Sequence, residues 1–226
     1  MIDIALNISL LKSQLPAAVR IVAVSKKKSV SDIMVAYNTG HRMFGENRVQ
    51  ELLSKKDNLP SDIEWHLIGH LQRNKVKFIV PFISMIESVD SAKLLSVINS
   101  EAEKAGRVIN CLLQFHIAKE ETKFGFNLEE VHQMLDSQDF KNLENVNICG
   151  VMGMATFTEN TDQISGEFKF LRDCHIALKG KYFREHNQFR EISMGMSGDY
   201  SLAVKEGSTI VRIGSLIFGE RINELV

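Results

Sequence analysis

Lys26 closes the run Ile21-Val22-Ala23-Val24-Ser25. A strand's side chains alternate between faces, so Lys26 shares the face of Val22 and Val24. An amine carried there on an apolar strand is removed from water, and Lys27 and Lys28 add like charge beside it. Both effects disfavour the ammonium and favour the neutral amine that attacks a carbonyl. A solvated basic loop also accounts for three consecutive lysines. Arg212 stands in the apolar run Ile210-Val211-Arg212-Ile213-Gly214 with no acid close by in sequence. A guanidinium inside such a strand needs an acceptor from elsewhere in the fold, either a carboxylate or a ligand.

Gly214-Ser215 follows that run, and Gly195-Met196-Ser197-Gly198 follows the apolar run before it. Each Gly-Ser pair alone is more often a plain turn, but bare amides and hydroxyls at two neighbouring strand ends together suit an anion such as phosphate. Asn47 and His66 are the other polar residues that end or interrupt apolar runs. His66 and His70 have i,i+4 spacing but straddle Gly69 with no glutamate between them, so the metalloprotease pattern fails and no metal site is expected. Met152, Met154, Met194 and Met196 line two strand ends, where core packing explains most of them.

These residues need a scaffold that gathers strand ends. Short β-branched runs recur at 21–25, 41–45, 65–69, 85–89, 110–117, 147–154, 191–196 and 210–218. Segments with helical spacing separate them, among them 29–39, 91–105, 128–135 and 167–178, the first two opened by Ser29 and Ser91 as N-caps. Continuous apolar strands alternating with helices predict a parallel (β/α)8 TIM barrel preceded by a helix over 3–15. A doubly wound open sheet is the rival, but it favours a glycine-rich first turn, and here that turn reads Ser25-Lys26-Lys27-Lys28.

The 226 residues carry 27 basic and 28 acidic side chains, so no global field draws nucleic acid or anionic lipid. Cys111, Cys149 and Cys174 are odd in number and lack Cys-x-x-Cys spacing, which suits reduced thiols better than a disulfide framework or zinc site. No apolar run reaches the ~18 residues of a spanning helix and no basic leader opens the chain. A soluble cytoplasmic protein is expected, monomeric for want of a heptad or an apolar surface stripe.

Ala23-Val24-Ser25-Lys26, Phe44-Gly45-Glu46-Asn47 with Val49-Gln50-Glu51, Trp65-His66-Leu67-Ile68-Gly69 with Leu71-Gln72 and Asn74-Lys75, Gly195-Met196-Ser197, and Val211-Arg212-Ile213-Gly214 with Ile217-Phe218-Gly219 occur in this order. Over nearly its whole length the chain thereby resembles the pyridoxal-phosphate homeostasis proteins. The resemblance implies one barrel domain over 1–226, similar to the N-terminal domain of alanine racemase, with pyridoxal 5'-phosphate held as a Schiff base on Lys26. It further implies that Arg212 faces the pyridine nitrogen, that Ser197, Gly214 and Ser215 hold the phosphate, and that Asn47 and His66 line the site. His70 stands where the family often has proline and Lys27 where threonine is common; neither is among those anchors.

The function implied is a binder that buffers the cofactor in vitamin B6 homeostasis without established turnover, apoenzymes that use the cofactor being candidate partners. A pyridoxal-phosphate-dependent racemase is the alternative. Racemases of this fold draw a catalytic tyrosine from a partner subunit; Tyr200, after Gly198-Asp199, is the internal candidate for that role but reads better as packing at a helix start. A third reading has Lys26 acting without any cofactor.

Overall fold

The computed structural model describes residues 2–119 and 124–220. Its strands β1 (Arg20–Val24), β2 (Met43–Glu46), β3 (Glu64–Leu67), β4 (Met85–Val89), β5 (Ile109–Phe115), β6 (Val146–Gly153), β7 (Glu191–Ser193) and β8 (Ile210–Ile213) form a closed parallel barrel in chain order. Closure is made by β1 against β8, where Val22 pairs with Arg212 and Ala23 with Ile213. The open-sheet rival is thereby rejected.

The helices are α1 (Ile4–Gln14), α2 (Val30–Asn38), α3 (Val49–Lys56), α4 (Val76–Ile79), α5 (Ala92–Lys104), α6 (Leu128–Asp136), α7 (Gln138–Lys141), α8 (Thr161–Tyr182), α9 (Tyr200–Lys205) and α10 (Ser215–Phe218). Helix α1 starts where the Asp3 carboxylate accepts from the Leu6 amide, and it buries Ile4, Ile8 and Leu11 at helical spacing. Ser29 caps α2 in a reciprocal box with Asp32, and Ser91 caps α5 through the Leu94 amide. Helix α8 begins six residues before the expected 167 because Asn160 caps it through Gln163.

Period-two alternation divides the core. Val22, Val24, Ile68, Met85, Leu112, Cys149, Met152 and Ile210 cluster within the barrel, whereas Ile21, Ala23, Phe44, Trp65, Leu67 and Ile86 pack against the helices. The expected strand over 210–218 is corrected. β8 ends at Ile213, and the apolar residues after it fold into α10, whose Phe218 amide donates to Gly214 O at 2.9 Å. At β6, Gly150 has φ +153° and lies so close to β7 that a Cβ would stand 1.9 Å from Glu191 O. Only glycine permits that approach. All three cysteines are buried and unpaired.

Buried His41 and half-buried His175 are both held in the neutral form. Burial pushes His41 down to about 4, although its ring bonds the Met43 carbonyl. Burial also pushes His175 down to about 4; its ring stacks on Phe189 and its Nε2 has no hydrogen-bond partner. Because both folded values lie below the unfolded value of 6.5, the stabilisation is complete above that pH and drains away as the pH falls toward 4. At 1.36 kcal/mol per pKa unit, discounted for partial solvent access, each contributes roughly 2 kcal/mol. Urea unfolding at pH 7 and pH 5 should therefore show a lower midpoint at pH 5, and replacing both histidines with glutamine should remove most of that difference.

Candidate functional site

The barrel's C-terminal mouth gathers the residues singled out from the sequence. Lys26 follows β1 half-buried, with the inward parity of Val22 and Val24. Asn47 follows β2 half-buried, and its carbonyl lies where a Cβ on Gly69 would fall, 2.3 Å away, so the ends of β2 and β3 nearly touch. Gly214, after β8, packs on Val24 of β1. Ser197, after β7, accepts at its Oγ from the Gly214 amide at 3.3 Å and the Leu216 amide at 3.5 Å. Ser215 is exposed at the start of α10. Lys26, Ser197, Gly214 and Ser215 thus lie along adjoining strand ends, with Asn47 beside them.

Deeper in the barrel, Arg212 is 3% exposed. Its Nη1 donates to Ser193 Oγ at 2.6 Å and its Nη2 to Gly153 O at 2.8 Å. Ser193 donates in turn to Glu87 Oε2 at 2.5 Å, and His66 Nδ1 meets Glu87 Oε1 at 2.6 Å. The acceptor that Arg212 needed is therefore Ser193 backed by Glu87, whose carboxylate is 4.0 Å from the guanidinium. Burial alone would raise the Glu87 carboxyl, but His66 and Arg212, with the Ser193 hydroxyl, outweigh it and hold the group below the ordinary carboxylate range. An ionised carboxylate only accepts, so His66 carries its proton on Nδ1 toward Glu87. The arrangement fixes the guanidinium plane while leaving its Nε–H and one hydrogen on each terminal nitrogen for a ligand.

Sequence reasoning missed Glu87, Ser193 and a second buried group, Glu46 with Lys55. Glu87 and Glu46 each stand as a lone acid within an apolar strand, the same signal that marked Arg212. Two expectations are corrected. Lys28 does not crowd Lys26: its ammonium is drawn to the C-terminal carbonyls of α10, Phe218 O at 2.8 Å and Gly219 O at 3.2 Å. Lys26 is half-buried rather than fully withdrawn from water. Tyr200 opens α9, as the helix-start reading expects, and its hydroxyl donates to Gln14 of α1 at 3.2 Å. Met152 and Met194 are core residues, whereas Met196 is exposed.

The mouth offers an amine able to attack a carbonyl, an oriented guanidinium below it, and hydroxyl and amide groups suited to an anion. Among the described residues no group of His, Cys, Asp and Glu could hold a metal ion, and no helix is long and apolar enough to cross a membrane.

A closed parallel barrel with a lysine two residues beyond its first strand and an arginine within its last defines a class, and residues 2–222 match the family described as alanine racemase, N-terminal domain. Curated relatives narrow it. The pyridoxal phosphate homeostasis protein of Aquifex aeolicus is 38% identical over 89% of this chain and 87% of its own length. The human protein of that name is 39% identical over 89% of this chain and 76% of its own. PipY of Synechococcus elongatus, solved without and with pyridoxal phosphate (PLP), superposes with TM-scores of 0.90 and 0.86 at 35% and 36% identity, over 96% of this chain and all of that one. The chain belongs to the pyridoxal phosphate homeostasis protein family. Clostridium difficile alanine racemase, at 14% identity and a TM-score of 0.75, shares the fold; the chain covers 58% of it.

Proposed function

We propose that this protein binds pyridoxal 5'-phosphate at the barrel mouth and serves its homeostasis as a carrier or buffer, with Lys26 as the amine that receives it. The observation that carries this reading is the convergence of the Lys26 strand end, the Ser197 hydroxyl and the Gly214 and Leu216 amides on adjoining strands above a buried, oriented Arg212. When bound, the cofactor supplies an aldehyde that a primary amine captures with loss of water. Ser197, Gly214 and Ser215 hold the phosphate, Arg212 faces the ring nitrogen, and Asn47 and His66 line the cavity. The kinship with PipY, solved with PLP bound, and with relatives named for PLP homeostasis supports the reading.

Arg212 also bears on binder against enzyme. A guanidinium donates to a ring nitrogen without giving up its proton, so the ring stays uncharged and is a weak electron sink. The tyrosine hydroxyls serve other elements: Tyr37 bonds Asp62, Tyr182 bonds Asp136, and Tyr200 bonds Gln14. A racemase would need a base other than these. The reading therefore expects no amino-acid inversion above the rate of free cofactor, measured by chiral chromatography. Delivery to apoenzymes is tested by mixing loaded protein with an apoenzyme that uses the cofactor: activation should outpace that given by cofactor at its measured release rate. Activation no faster than release would leave a buffer without directed transfer.

Ser197→Asp places a carboxylate beside the Gly214 and Leu216 amides, where the phosphate would sit. Affinity for pyridoxal 5'-phosphate should fall at least ~10-fold, about 1.4 kcal/mol, while affinity for unphosphorylated pyridoxal should change little. Equal losses for the two ligands would place the phosphate elsewhere.

A further inference from the structure

The peptide segment that carries Lys26 is gripped from outside the barrel. Ser25 Oγ donates to Glu46 Oε1 at 2.7 Å, and Lys55 Nζ of α3 donates to Ser25 O at 2.8 Å and to the same Glu46 oxygen at 2.8 Å. Lys55 also bonds Glu51 Oε1 at 2.7 Å, one helical turn back, and that oxygen accepts the Lys27 amide in a short contact. The carbonyl just before Lys26 and the amide just after it are therefore both held by one ion-paired group. Glu46 and Ser25 are fully buried, and Lys55 is 7% exposed.

The segment needs holding. Lys27 adopts φ +60°, the left-handed region that a side chain with a Cβ enters at a cost, and it is the one non-glycine residue among those described to do so. The chain turns there so that Lys28 can donate back to Ser25 O at 3.0 Å and send its ammonium to α10. A buried lysine paired with two acids is a costly way to gain stability, since an apolar replacement often serves as well. Its placement around one backbone segment gives it another use.

We propose that Glu51 and Lys55 are positioning residues for Lys26: through the Lys27 amide and the Ser25 carbonyl they lock the left-handed turn after β1, so that the Lys26 amine meets the ligand aldehyde in attacking geometry. The inference rests on Lys26 being the receiving amine. In the step it serves, the amine nitrogen bonds the aldehyde carbon, and the carbonyl oxygen departs as water with both amine protons in the net balance of a neutral amine. Glu51 and Lys55 touch neither reactant; they set where the nitrogen stands before the bond forms.

Stopped-flow absorbance with pyridoxal 5'-phosphate measures capture, and calorimetry with pyridoxine 5'-phosphate, which lacks the aldehyde, measures the rest of the site. Glu51→Ala should slow capture about 10-fold with pyridoxine 5'-phosphate affinity within about twofold of wild type. Glu51→Gln, which keeps an oxygen for the Lys27 amide, should recover most of the rate, and Lys55→Met should slow capture as Glu51→Ala does. Unchanged capture in Glu51→Ala and Lys55→Met, or equal losses for both ligands, would overturn the positioning role. Lys26→Ala is run alongside: if it captures as fast as wild type, the assignment of Lys26 itself is at fault, a result distinct from failure of the clamp.

Discussion

Lys26→Ala should abolish the visible absorption that pyridoxal 5'-phosphate acquires when an amine captures it, and should weaken retention of the cofactor about 100-fold, or ~2.8 kcal/mol. The loss is large because the covalent link goes while the noncovalent contacts of phosphate and ring remain. Lys27 and Lys28 are poor substitutes: Lys27 lies exposed beyond the turn, and the Lys28 ammonium is committed to Phe218 O and Gly219 O. The same variant should still bind pyridoxine 5'-phosphate with near-wild-type affinity. Spectrophotometric titration after gel filtration reads both quantities, and a band that survives in the variant would assign the chemistry to another amine.

Glu87→Ala should have the largest effect on stability. The substitution leaves the Arg212 guanidinium buried at 3% exposure without its ion-pair partner, Asp199 remaining as the other acid that acts on it, and strips His66 of the partner of its Nδ1 proton. Breaking a buried pair by removing one member costs about 3–5 kcal/mol, because the remaining charge has lost both water and counter-charge. Glu87→Gln, which keeps an acceptor for Ser193 or His66 at nearly the same volume, should cost less. Urea unfolding at pH 7 provides the comparison; a Glu87→Ala midpoint equivalent to less than ~1 kcal/mol of loss would mean that Arg212 does not depend on this acid. The pairing also has a pH signature. The folded Glu87 carboxyl is held below its ordinary value, so its contribution is present above the unfolded carboxylate range and is lost as the pH falls through the folded value.

The architecture was legible because barrel strands are buried on both faces and leave apolar runs with few interruptions, as at 21–24. Arg212 and Lys26 stood out for the complementary reason: a charge that ends or interrupts such a run must be placed for something. The same rule identifies Glu87 and Glu46, but each requires a partner that only the closed topology brings near, β7 and β8 for Glu87 and α3 for Glu46. Apolar content alone extended β8 through Ile217 and Phe218, whereas the backbone turns at Gly214 into a four-residue helix. The charge of Lys28 was read by proximity in sequence; in space the helix terminus attracts it more strongly than the mouth does. Tyr200 was placed at a helix start, as α9 shows, but its partner Gln14 on the first helix of the chain is supplied by the closed topology.

Borohydride reduction of the protein loaded with pyridoxal 5'-phosphate, followed by proteolysis and mass spectrometry, locates the amine that took the aldehyde. One dominant phosphopyridoxyl adduct is expected, on Lys26, present at near one equivalent and lowered at sub-saturating ligand when Ser197 is replaced by aspartate. An adduct spread over surface lysines, or concentrated on any residue other than Lys26, would contradict it.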